Sequence, residues 1–549
     1  MICVRRLSAL ALLAAVAIGW PASPRAGGVQ DGARPKLVVI IVVDQMRADY
    51  LDWYAANFTS GFARLKREGA VFTNAAYPYL NTITCAGHST IGTGTFPYRH
   101  GMILNNWYDR KTGKSPYCTD DPTMKEISYN GLSSVQGDSA RRLLAPAIGE
   151  QIMNRGGRSV AISLKPRSAV TLTGHKSTAV VWFDDRGGWT TSTAFTKTPV
   201  PYLQEFIKAN PLTADFDKVW ERTLPASAYQ GEDEVKSEGT TAGWTRSFPH
   251  VMGVRGAKES EFYAHWQRSP FADEYVARLA MASIDELKLG RGKAADFLGV
   301  SFSAVDGVGH LFGPRSHEIQ DTLIRLDRTI GGLLDHLDKT VGQGNYVLGL
   351  SADHGVAEVP EQTGGGRISS KSVAQALEAV LVPALGPGRH VAATVYTNVY
   401  LSEDARKRLG RDRTLRAAAL DAVRGVKGIK YVFWGRDLAS AAARQSSDPV
   451  MRAAALSHHP DRSGDIIVAP AENWILSTSV TTHGTQYAYD QRVPVILLGA
   501  SVRAGTYTSG ATPADLAPTL AAAANVKIGP TDGRVLKEAL SPGRSTAVE

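Results

Sequence analysis

The apolar positions of this chain fall into two rhythms. Short, nearly unbroken runs of aliphatic and β-branched residues alternate with longer stretches in which apolar residues return every three or four positions. The first run, 36–43 (KLVVIIVV), has no polar face, the pattern of a central parallel strand covered on both sides. Segment 62–68, closed by Gly69, carries the helical period. Strand-like runs return at 159–164, 297–305, 346–350, 465–468 and 493–498, with helical stretches at 274–289 and 319–337 among them. Such alternation predicts an α/β protein with a doubly wound sheet, helices on both faces, and ligands bound beyond the strand C-termini.

Two stretches break the rhythm. Residues 185–270 are rich in Trp, Thr, Ser and Gly and show no strong period. Residues 361–460 carry their own strand (393–401), helix (415–423) and strand (430–434). Both are expected to be insertions that cap the site, which divides the core into 35–184, 271–360 and 461–540. At the start, Arg5 and Arg6 precede an apolar run at 7–20 that Pro21 ends. The run is shorter than the about 20 residues a bilayer core requires. It predicts a secretory signal peptide within 1–26, cleaved between Gly19 and Ala26, and a periplasmic or secreted product with no membrane span. An uncleaved anchor is the competing reading.

Composition narrows the chemistry. With 43% hydrophobic and 21% charged residues the chain is an ordinary globular protein. Its formal net charge is +9, from 61 basic and 52 acidic residues, but the signs are scattered, so a nucleic-acid platform is not expected. The three cysteines, Cys3, Cys85 and Cys118, form no CxxC pair, which excludes a thiolate zinc finger. After export Cys85 and Cys118 either pair or remain buried thiols. Any metal must be held by His and carboxylates. No GxGxxG follows the first strand, where Asp44-Gln45-Met46-Arg47 stands instead, and no GxxxxGK[ST] loop exists. Gly87-His88-Ser89-Thr90-Ile91 resembles a GxSxG elbow, but Ile91 replaces its last glycine, which sets an α/β-hydrolase aside.

Acidic residues end three of the predicted strands: Asp44, Asp306 and Asp353. One such carboxylate alone would be an ordinary loop or helix-cap residue. Three at one rim, two with a histidine attached, point to a metal centre. Asp306-Gly-Val-Gly-His310 sets a carboxylate and an imidazole across a glycine-flexed turn, Asp353-His354-Gly355 follows an apolar strand, and His483-Gly484 stands alone. Mixed His and carboxylate ligands suit catalytic zinc. Thr84, in Asn81-Thr-Ile-Thr84-Cys85-Ala86-Gly87-His88, is the candidate nucleophile. The helix expected from Ala86 to Gly94 would place its hydroxyl at an anion-binding N-terminus, and a metal would activate it. Cys85 is the rival. His88 reads as a packed, hydrogen-bonded residue rather than a ligand, and His458 and His459 as loop residues. Trp107, Trp182, Trp189 and Trp434 read as core. For Lys165-Pro166-Arg167 a solvated strand end is the competing reading.

Together these pieces resemble the alkaline phosphatase superfamily, and within it the zinc-only, threonine-nucleophile branch. The resemblance rests on VVDQMRADYL at Asp44, the Thr84 segment, GMILNNWYD around Asn105, SLKPR at Lys165 and Arg167, SGDI at Ser463 and DLAPTL at Asp515, and spans about 35–535. It implies an alkaline-phosphatase-like sheet and two Zn2+ ions. Asp306, His310 and His483 would hold one; Asp44, Asp353, His354 and the Thr84 hydroxyl would hold the other. It also implies that Asn105, Lys165 and Arg167 bind the phosphoryl oxygens where other branches place a magnesium ion, so that no third metal is expected. The activity implied is hydrolysis of small-molecule phosphate monoesters through a phosphothreonine. A phosphodiesterase or nucleotide pyrophosphatase is the alternative, and the Lys-x-Arg pair weighs against it. A non-catalytic phosphoester-binding protein is the remote one. A sulfatase would use a modified Cys or Ser in a different motif.

Overall fold

The β-branched run forms strand Leu37–Val43, which is fully buried because both neighbouring strands and both helical layers cover it. This computed structural model describes residues 34–541, apart from 132–135, 185 and 254–257; the expected signal peptide lies outside the described residues. Leu37–Val43 pairs in parallel with Asp296–Phe302 on one side and Tyr346–Ser351 on the other. Outward from Asp296–Phe302 come Ser159–Ser163 and Ala179–Asp184, also parallel. The sheet then closes with antiparallel strands Gly188–Ser192 and Glu126–Ser128. On the other flank, Val495–Gly499 runs antiparallel to Tyr346–Ser351 and pairs with the short Ala70–Phe72, and Gly505–Tyr507 forms the edge. The result is one mixed sheet of ten strands with a parallel centre, the α/β architecture expected.

One apolar cluster lies on each face. The first contains Val39, Ile41 and Val43 and the helices Pro270–Glu286 and His317–Thr340. The second contains Val38, Ile40 and Val42 with the helices Pro166–Thr173 and Leu516–Ala523. Alternate residues of the same strand thus feed opposite layers. Among the described residues no helix is long and apolar enough to cross a membrane.

Several expectations are corrected. The run at 465–468 was expected in the main sheet; strand Ile466–Pro470 instead joins a separate four-stranded sheet with Val391–Val395, Asn398–Leu401 and Ile429–Trp434. It is an antiparallel partner of two strands from the inserted segment, and such burial gives the same apolar run. Segment 185–270 opens with Gly188–Ser192, which continues the main sheet by a hairpin from Ala179–Asp184. Strand Asp296–Phe302 ends before Asp306, and Ala304–Phe312 is a helix rather than a glycine-flexed turn. The helix after Ile83 begins at Thr84 itself. Lys165 is not a solvated strand end but the N-cap of Pro166–Thr173, with Pro166 at a position where its missing N–H costs nothing.

Candidate metal centre

Three adjacent parallel strands bring the carboxylates together. Asp44 follows Val43, Asp353 lies just past Ser351, and Asp306 sits in the first turn of the helix after Phe302. All three are buried, Asp44 and Asp353 at 0% exposure. His354 arrives as the neighbour of Asp353, His310 one helical turn after Asp306, and His483 on the loop before Val495–Gly499. Thr84 reaches the same rim because its helix packs against the turn after Ser351: a Cβ on Gly87 would collide with the Asp353 backbone, so the close approach requires glycine.

Each imidazole is fixed by its backbone. His310 Nδ1 lies 2.9 Å from the Thr481 carbonyl, His354 Nδ1 2.9 Å from the Gly355 carbonyl, and His483 Nδ1 2.8 Å from the Thr82 carbonyl. A carbonyl only accepts, so Nδ1 carries a hydrogen in all three, and Nε2 is the nitrogen left facing the rim, with a bare lone pair whenever the ring is neutral. What these lone pairs meet is more electron density. His310 Nε2 is 3.2 Å from Asp306 Oδ1, and His483 Nε2 is 3.9 Å from the same atom. His354 Nε2 stands 3.2 Å from Asp353 Oδ2, 3.5 Å from Asp44 Oδ1 and 3.3 Å from Thr84 Oγ1. Asp44 Oδ1 and Asp353 Oδ2 have no hydrogen-bond donor. Imidazole nitrogens gathered at one rim with two carboxylate oxygens that lack donors are the donor set of a cation centre.

Ligand atoms lie within 4.8 Å of one another in two triads, Asp306/His354/His483 and Asp44/His88/Asp353. His354 and His483 stack with ring centroids 3.4 Å apart, so the two groups share a wall, and proximity alone does not divide them as the resemblance did. His88 has both nitrogens engaged: Nδ1 donates to the Thr84 carbonyl at 3.0 Å and lies 3.2 Å from Asp353 Oδ2, while Nε2 meets Ser301 Oγ at 2.8 Å. It supports Asp353 from behind.

Electrostatics follow from the crowding. Burial, with the Asp306 and Asp353 carboxylates, pushes the Asp44 carboxyl well above its ordinary range. Against the effect of burial, Lys165 and His310 hold Asp306 well below that range. Positive charge on the His354 and His88 rings would do the same for Asp353. Burial depresses His354 and His483, favouring their neutral rings, whereas against the effect of burial the Asp306 carboxylate holds His310 above its ordinary value. Lys165 Nζ lies 2.6 Å from Asp44 Oδ2 and 2.5 Å from Asp306 Oδ2. Burial opposes its charge, yet Asp306 and Asp44 hold it above the usual lysine value.

Lys165, Asn105 and Arg167 line one cavity of about 630 Å³, whose far wall includes Asp120, Trp182 and Gln267. Asn105 Oδ1 accepts from the Cys85 N–H at 2.9 Å. Arg167 Nε is buried without a partner. Cys85 and Cys118 are disulfide-bonded, which resolves the choice left open by the sequence and removes Cys85 as a rival nucleophile. The bridge ties the start of the Thr84 helix to the Asn105 segment, since Cys118 N also donates to the Asn105 carbonyl at 2.7 Å.

Gln45 escaped the sequence reading. Its N–H donates to Asp353 Oδ1 at 3.1 Å and its Nε2 to Asp306 Oδ1 at 2.7 Å, from a backbone held at φ 67°. Its place directly after Asp44 was the one available signal.

The model of the type I phosphodiesterase / nucleotide pyrophosphatase family matches residues 38–491. Alkaline phosphatase PafA of Elizabethkingia meningoseptica is 32% identical over 505 residues, covering 89% of this chain and 91% of that one. Alkaline phosphatase PhoV of Synechococcus elongatus is 31% identical over 513 residues, 91% of each. The crystal structure of PafA superimposes with a TM-score of 0.84 at 30% identity, over 93% of this chain and 99% of that one. Murine ectonucleotide pyrophosphatase/phosphodiesterase 5 shares the fold, with a TM-score of 0.54 at 14% identity over 92% and 100% of the two chains. The chain therefore belongs to the type I phosphodiesterase / nucleotide pyrophosphatase family of the alkaline phosphatase superfamily, alongside the PafA and PhoV phosphatases.

Proposed function

We propose that this protein is an exported alkaline phosphatase that hydrolyses phosphate monoesters through a phosphothreonine at Thr84. The observation that carries the reading is the set of three backbone-locked imidazoles whose Nε2 atoms face buried carboxylates beside a helix-terminal hydroxyl. That donor set fits two zinc ions, one held by Asp306, His310 and His483, the other by Asp44, Asp353, His354 and the Thr84 hydroxyl. Bound there, they would supply Lewis-acid charge to the attacking and departing oxygens of an in-line displacement.

The chain's own groups do the rest. The Thr84 hydroxyl lies 3.3 Å from His354 Nε2, so both atoms would reach the same ion, whose charge would favour the ionised hydroxyl. Thr84 Oγ forms a bond to phosphorus as the ester P–O bond breaks, and water then cleaves the phosphothreonine. Asn105, Lys165 and Arg167 would hold the nonbridging oxygens, since they line one cavity, Asn105 is hydrogen-bonded to the residue after Thr84, and Arg167 Nε has no partner within the protein. The names of the relatives PafA and PhoV support phosphatase activity. The Arg5–Arg6 start, the apolar run at 7–20 and the Cys85–Cys118 bridge support export. The family description favours a second reading, a phosphodiesterase. Kinetics on an aryl phosphate monoester and its matching diester separate the two: the monoester is expected to be the better substrate, and a preference for the diester would establish the second reading.

A further inference from the structure

The hairpin Val391–Val395/Asn398–Leu401 of the inserted segment turns on two residues, Tyr396 and Thr397, because Val395 pairs with Asn398. Tyr396 holds φ at 51°. Two-residue hairpins usually fill that left-handed position with Asn, Asp or Gly, since a larger residue brings Cβ against a carbonyl oxygen. An aromatic residue keeps such a backbone only where its surroundings hold it there.

The surroundings are the candidate metal centre. The Tyr396 phenol O–H donates to the carbonyl of His483. Its ring packs on Gly484, at φ 104°, where a Cβ would lie 2.7 Å from Tyr396 Cε1 and 2.9 Å from its Oη. The next residue reaches the other loop of the site. Thr397 is fully buried, and its Oγ1 donates to Asn81 Oδ1 at 2.8 Å. Asn81 opens the short segment leading to Thr84, and the Thr82 carbonyl within it accepts from His483 Nδ1. Two adjacent residues of one turn therefore grip the two loops whose mutual hydrogen bond aims His483 Nε2.

We infer that Tyr396 is a positioning residue: through the His483 carbonyl it fixes the orientation of that imidazole, so the inserted segment completes the metal centre rather than only covering it. The inference rests on the proposed role of His483 as a zinc ligand. The test is the rate at which the zinc-loaded protein surrenders zinc to a chelator. Tyr396→Phe deletes only the hydroxyl; Tyr396→Asn deletes the ring while suiting the left-handed backbone; His483→Ala is the reference. Loss of groups that orient metal ligands lowers metal affinity or activity by about 10–100-fold. Tyr396→Phe is expected at the low end, releasing zinc about 10-fold faster, with kcat reduced, KM near wild type and the melting temperature of the metal-free protein unchanged. Tyr396→Asn is expected to release zinc faster still. An unchanged release rate in Tyr396→Phe, or a change accompanied by an equal loss of metal-free stability, overturns the inference. If His483→Ala itself keeps wild-type zinc, the ligand assignment beneath the inference fails, and the inference with it.

Discussion

Replacing Lys165 and Arg167 with alanine tests the substrate class directly. A phosphate monoester dianion carries one more negative charge than a diester, and one more free oxygen. One unit charge about 4 Å from another is worth about 4 kcal/mol at the effective dielectric of a partly buried site. Mutational losses for a single preorganised donor agree, at about 3–4 kcal/mol. Both cations line the same cavity as Asn105; Arg167 Nε lacks any other partner, while Lys165 also contacts Asp44 and Asp306. Their contributions overlap, so the double variant should lose less than the sum of two such terms. We expect kcat/KM for an aryl phosphate monoester to fall by at least about 10³, and that for the matching diester by under about tenfold, the difference being the charge the diester lacks. The assay is paired initial-rate kinetics at fixed zinc and ionic strength. Equal losses on both substrates would refute the reasoning, because a pair that only shapes the fold cannot count charges.

Chelation should abolish activity and zinc restore it, and His310→Ala and His483→Ala should each lower zinc content; full rescue by calcium would contradict the two-zinc assignment. Acid-quenched enzyme should carry phosphate on the peptide containing Thr84, with Thr84→Ser active and Thr84→Ala nearly inactive; phosphate trapped on another residue would move the nucleophile. The Cys85–Cys118 bridge spans 33 residues, so Cys118→Ser should destabilise the fold by about 4 kcal/mol on the chain-entropy account, read by chemical denaturation; a loss below about 1 kcal/mol would mean native strain offsets it. His100 is fully buried, accepts from the Met102 N–H at Nδ1, and has its pKa lowered to about 3 by burial. Unfolding releases it to bind a proton below its ordinary value, so stability should fall as pH drops from about 6.5 toward 3, by about 2 kcal/mol at pH 5. His100→Gln should flatten that slope, and an unchanged slope in melting temperature against pH would exclude His100 as its source.

How much was legible in advance depended on how local each signal is. Asp44, Asp306 and Asp353 stood out because each follows an apolar run, and apolar runs buried on both faces mark the parallel centre of the sheet. The helix beside Thr84 was legible from its small residues, one of which, Gly87, lets it approach Asp353. Ala70–Phe72 and Gly505–Tyr507 were not, because three residues are too few to show any period. Ile466–Pro470 was read as a strand but placed in the wrong sheet, since burial on both faces looks the same whichever sheet provides it. Gln45, marked only by its place after Asp44, and Tyr396, not marked at all, were missed for a different reason: each acts through a left-handed backbone at a position where composition suggests nothing of the kind.

The order of strands also constrains how the chain is made. Ala70–Phe72 emerges early, yet both of its partners, Val495–Gly499 and Gly505–Tyr507, lie close to the far end of the chain. His483 precedes them by a short loop. A chain halted before about residue 480 would leave an edge of Tyr346–Ser351 open and lack one imidazole of the centre. Such an incomplete chain offers a free hydrogen-bonding edge to its neighbours and is prone to aggregate. Closure of the sheet and arrival of His483 thus fall in the same step, so chains truncated or stalled before it should accumulate as insoluble, inactive material rather than as partly active enzyme.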